Sequence, residues 1–141
     1  MKPLRSSFLL SAVLISGIAF SRAEDPDSFF ERGKQKFEQV CFACHKYERG
    51  PAMIAPPAFA IQMHYGDRYG KDEAAFREAV IHWARLPDRS KTLMPGAITK
   101  FNLMPPLPLP DADLDMIAAY LYRADFTGEC DVPMRNRNSE L

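Results

Sequence analysis

The five residues Cys41-Phe42-Ala43-Cys44-His45 constrain this chain more than any other stretch. Two of its three cysteines stand three apart, with a histidine directly after the second. Their side chains can hold one another, a metal ion or something larger, and each choice asks for a different fold. A thioredoxin-like dithiol opens a helix that follows a strand, where the helix N-terminus lowers the thiol pKa. Here the pair comes at the end of a helical pattern, with no strand signal before it. A structural zinc site needs four ligands, and Cys130, His64 and His82 are not spaced as a finger or ribbon would space them. A plain disulfide stays open.

C-x-x-C-H is also the attachment pattern for a covalent c-type haem. The chemistry needs these residue types at this spacing. Two thiols add across the two vinyl groups of the ring, and the adjacent imidazole swings beneath it to ligate iron. One helical turn ending at Cys44 puts both sulfurs along one edge of the ring.

The N-terminus gives the compartment. Lys2 and Arg5 precede the uncharged run from Phe8 to Phe20, and Ser21-Arg22-Ala23 supplies small residues where a signal peptidase reads. This is an export signal in all three parts, and the run is too short for a membrane span of ~20 residues. Cleavage after Ala23 removes three basic residues and no acid. That leaves 15 Lys and Arg against 18 Asp and Glu, a net charge of about −3. No basic cluster tracks a nucleic-acid backbone. The expected compartment is the bacterial periplasm, where a close cysteine pair is bonded or ligated.

The remainder divides into a domain over 24–126 and a polar tail over 127–141. Residues 28–46 read as an amphipathic helix leading into the motif, with Phe30, Gly33, Phe37 and Val40 on one stripe. An inward glycine inside a helix points to another backbone or ring passing close, a tolerated exposed glycine being the alternative. Residues 58–65 offer one or two helical turns, closed by Gly66 and Gly70. Asp72 caps a helix with Phe76, Val80 and Trp83 on one face, stopped by Pro87. Residues 88–110 read as irregular because of their prolines. Asp111 opens the last helix, with Leu114, Ile117, Ala118 and Leu121 inward. No strand, repeat or second domain is visible.

A haem iron has a second axial position. Of the seven methionines, Met53, Met63 and Met116 read as apolar gap-fillers, and Met134 falls in the tail. Met94 and Met104 each stand directly before a proline. Met104, in NLMPPLPLP, sits on the stiffer segment, while Gly96 leaves Met94 more mobile. Met104 is therefore the expected sixth ligand. Cys130, between Glu129 and Asp131, is an odd cysteine in an exported chain, which points to a free thiol or an intermolecular disulfide.

Taken together, the helix with Gly33 and Phe37 running into Cys41, Cys44 and His45, the proline loop, LMPP at Met104, and a last helix with Tyr120 resemble a single-haem class I cytochrome c. The resemblance covers roughly residues 28–125. It implies an all-α cytochrome c fold, four to five short helices with long loops wrapped around one covalent haem c and its iron. It implies an electron carrier, not an enzyme, with redox proteins as transient partners or as fellow subunits, and neither nucleic acid nor a membrane span. It also implies that Gly33, Phe37 and Tyr120 meet where the first and last helices cross, and that Pro56 or Pro57 accepts a hydrogen bond from His45. The alternatives are a haem sensor or small-ligand protein with an open distal site, involving His64 or His82, and a haem-free dithiol or disulfide protein. Phe37, Phe42, Phe59, Phe101, Leu103 and Leu107 are the expected apolar surroundings of the ring.

Overall fold

The computed structural model describes residues 25–126. The expected export signal and the tail with Cys130 and Met134 lie outside the described residues. Five α-helices run in the order α1 (Pro26–Val40), α2 (Ala58–Tyr69), α3 (Glu73–Arg85), α4 (Pro95–Phe101) and α5 (Asp111–Arg123), with a 3-10 turn at Arg89–Lys91. There is no strand among the described residues.

The first and last helices form the spine. The Asp25 carboxylate accepts from the Asp27 amide at 3.1 Å, and Pro26 follows as the first helical residue. This helix buries Gly33 and Phe37 against α5. A methyl group on Gly33 would collide with the Met116 carbonyl oxygen and stand 3.0 Å from Tyr120 Cβ. The glycine is thus the point of closest approach, as the resemblance implied. The partner differs in one respect: the tightest contact is the α5 backbone at Met116, with Tyr120 next to it. The Tyr120 ring leans on Phe37 at 5.6 Å and on Phe30 at 5.3 Å. The last helix carries Asp111 and Asp113 in its first turn and buries Leu114, Met116, Ile117, Ala118, Ala119, Tyr120 and Leu121.

The third helix is bound to the spine by charge as well as packing. Arg77 donates to Asp115 from Nε at 2.9 Å and to Glu73 at 3.1 Å, and Arg85 pairs with Asp111. Phe76, fully buried, meets Tyr65 at 5.8 Å and Tyr122 at 5.1 Å. From α2, the Gln62 amide donates to the carbonyls of Leu121, Tyr122 and Ala124 at 2.8, 3.3 and 2.7 Å. Those are C-terminal carbonyls that a helix leaves without partners. One side chain closes the spine's far end.

Three boundaries differ from the sequence reading. The first helix stops at Val40, not at Lys46; beyond it the chain tightens into turns, with Phe42 N reaching back to Phe37 O at 2.9 Å. The second runs through Gly66 and stops at Gly70, whose positive φ of 60° ends it. Residues 88–110 are only partly irregular. Pro95 takes the first position of α4, where its missing N–H costs nothing, and Asn102, at φ 66°, turns the chain out again.

Candidate functional site

The two cysteines and the histidine of the motif converge on one cavity. Cys41, Cys44 and His45 line it from the turn after α1, Pro56 from the following loop, and Met94 and Met104 from either end of α4. Trp83 and Ala84 of α3 and Leu114, Ile117 and Leu121 of α5 complete an overwhelmingly apolar wall. The turn holding the motif is fixed by its own backbone. The Cys41 amide donates to Phe37 O, and the His45 amide donates to Cys41 O, both at 2.8 Å. Behind it, the Tyr120 hydroxyl donates to the Tyr47 hydroxyl at 3.2 Å, which donates to Glu38 at 2.8 Å. Burial first, and these hydrogen bonds second, raise the Tyr47 phenol above its ordinary range.

His45 has one ring nitrogen committed and the other free. Its Nδ1 lies 2.7 Å from the Pro56 carbonyl oxygen. A carbonyl can only accept, so Nδ1 carries the proton and Nε2 is left with its lone pair. Burial pushes the imidazole below its usual pKa, and the Pro56 contact opposes this more weakly. Neutral imidazole is the form that binds a metal. Cys41 and Cys44 are free thiols, Cys44 exposed and Cys41 half-buried. Burial, reinforced by Cys44, lifts the Cys41 thiol to about 11. The donor set fits a haem: two free thiols, one imidazole with a free nitrogen, and two thioethers line the same cavity.

Met94 is placed differently from the sequence expectation. Met94 is the N-cap of α4: its amide donates to Thr92 Oγ1 at 3.0 Å, and its carbonyl accepts from Ala97 and Ile98 at 3.0 and 3.3 Å. Its backbone is therefore anchored, not mobile. Met104 lies on the irregular stretch after Asn102, which is tied to α3 by the Leu107 amide on the Ala84 carbonyl at 2.8 Å. Neither His64 nor His82 lines the cavity. Phe37, Phe101, Leu103 and Leu107 do. Phe42 and Phe59 do not: Phe42 packs on Tyr47 at 4.9 Å, and Phe59 lies under Arg49. Of the three expected gap-filling methionines, Met116 is buried and Met63 is exposed. Among the described residues, no group of three or more His, Cys, Asp and Glu could hold a metal ion, so the zinc reading has no support there.

An all-helical cradle with a thiol-thiol-imidazole turn in its wall defines a c-type haem protein. Residues 30–124 match the sequence profile described as Cytochrome c; the chain belongs to the cytochrome c family. That membership brings covalently attached haem c with its iron, and haem-based electron transfer as the general activity. No similar curated protein and no similar solved structure was found. Among the described residues, no helix is long and apolar enough to cross a membrane.

Proposed function

We propose that this chain is an exported, periplasmic carrier of single electrons, with one haem held through thioethers at Cys41 and Cys44 and its iron between His45 and Met104. The observation that carries this reading is the His45 Nδ1–Pro56 contact at 2.7 Å beside the free thiols. The haem supplies the Fe(II)/Fe(III) couple. The chain's own residues set its conditions. Pro56 fixes the imidazole tautomer and its orientation. The apolar wall disfavours the additional charge of ferric iron, and a thioether ligand acts in the same direction, so both raise the potential. Ligands held by a turn and by a proline-stiffened segment move little on oxidation.

Partners dock at the rim. Val40, Ile54 and Leu103 line the cavity yet are 37, 65 and 38% exposed, which places apolar side chains in solvent beside the haem site. An apolar spot of this size suits a small, transient interface between redox proteins. Cys130 offers a tether to a fellow subunit. The test is a redox titration of the purified protein followed by absorption. One reversible transition with a one-electron slope is expected. A two-electron slope, or no haem signal, would contradict the reading.

A further inference from the structure

A second cavity, of about 340 Å³, opens between α2, α3 and the 3-10 turn. It shares Tyr65, Trp83 and Leu93 with the haem cavity, so a single layer of side chains separates the two. Its size falls within the range of small-molecule sites, about 300–1,000 Å³. Nothing in the proposed function uses it.

We propose that this groove binds a small planar aromatic molecule carrying hydroxyl groups, of the resorcinol or hydroquinone kind. Three rings line it: Tyr65 and Tyr69 from α2, and Trp83 from α3. They offer flat apolar faces for an aromatic ligand. Tyr65 is the telling residue. It is only 6% exposed, and its hydroxyl makes no hydrogen bond to another described residue. Among the described residues, no fully enclosed polar side-chain atom lacks a partner. The Tyr65 hydroxyl therefore opens onto one of the two cavities that its ring lines, and in the groove it would be a buried donor and acceptor for a ligand atom.

The other polar groups narrow the chemistry. Glu78 and His82 lie one helical turn apart on α3, on the same face, and both line the groove. Lys91 reaches it from the 3-10 turn. One carboxylate, one ammonium and one imidazole give acceptors and donors without an excess of either sign. That suits neutral hydroxyls better than an ion of either charge. Leu86, 69% exposed at the edge, adds apolar cover over a ring already seated. The groove is too small for a protein segment of any length.

Resorcinol is the binding probe, because its hydroxyl placement does not allow oxidation to a simple quinone. Titrated calorimetrically into the haem-loaded, oxidised protein, it should bind saturably at one site per chain. Tyr65→Phe keeps the ring and removes only the hydroxyl; Glu78→Gln keeps the shape and removes the charge. Each should weaken binding about ten-fold or more, Tyr65→Phe by losing a hydrogen bond and Glu78→Gln by turning a charged acceptor into a neutral one. The probe 1,3-dimethoxybenzene, of similar shape but without hydroxyl donors, should bind at least as poorly. The absorption spectrum recorded on the same samples separates failure here from failure of the haem assignment. Unsaturable heats, equal affinity for both probes, or affinity unmoved in both variants would overturn the proposal.

Discussion

Replacing Gly33 by alanine should lower the unfolding midpoint of the haem-loaded protein, and valine should lower it further. The reason is the carbonyl of Met116. A Cβ on Gly33 meets that oxygen at a distance no real Cβ tolerates and lies 2.9 Å from the carbonyl carbon. Backbone inside a helix cannot rotate aside as a side chain does, so α1 and α5 must separate. Separation would strip Phe37, 1% exposed, and Tyr120, 5% exposed, of their mutual contact. Overpacking of a core costs ~1–3 kcal/mol, at times more, and a clash against backbone belongs at the upper end. An opposing effect exists, since alanine is the better helix former by up to ~1 kcal/mol. It is the smaller of the two. A midpoint that rises in Gly33→Ala, measured by thermal or denaturant unfolding, would mean the two helices do not meet there.

The second large effect concerns the iron. Met104→Ala should abolish the weak red absorption of a ferric thioether-ligated haem, lower the reduction potential and let carbon monoxide bind the reduced protein. Met94→Ala should leave all three nearly unchanged. The expectation rests on the proline-stiffened segment that carries Met104. The Met94 backbone is held at the α4 cap by hydrogen bonds on both its amide and its carbonyl, which leave its side chain free to line the same cavity, so Met94 is the competing ligand. Met104 lies in the proline-rich segment 102–110, outside any helix and tied down where the Leu107 amide donates to the Ala84 carbonyl. The reverse pattern in the two variants would move the ligand to Met94. Carbon monoxide binding to the unaltered reduced protein would point instead to an open distal site.

Much of this was legible in the residues, and the parts that were not have physical causes. The motif, the Asp72 cap and the inward face of the last helix are local signals, and each is found where the periodicity puts it. Asp72 accepts from the Ala75 amide at 3.0 Å, as an N-cap should. The short α4 was hidden because Pro95 and Gly96 read as breakers, although proline at a helix start is favourable. Ile98 buried at its centre was the available clue. The relation of Gly33 to Tyr120 was visible through resemblance, but the dominant contact with the Met116 carbonyl was not, since backbone atoms leave no mark in a residue pattern. The choice between Pro56 and Pro57 likewise needed the fold. Phe42 and Phe59 look identical to Phe101 in sequence; only tertiary packing turns them away from the cavity. The groove beside Trp83 is assembled from α2, α3 and the 3-10 turn, so no stretch of sequence announces it.

The most direct test of the whole account is acid–organic extraction of the unfolded protein, read alongside the mass of the intact chain. Cys41 and Cys44 as thioether anchors predict that the haem stays with the polypeptide and that the chain is heavier by one haem. Haem passing into the organic phase, with the chain left at its bare polypeptide mass, would contradict covalent attachment and the function built on it.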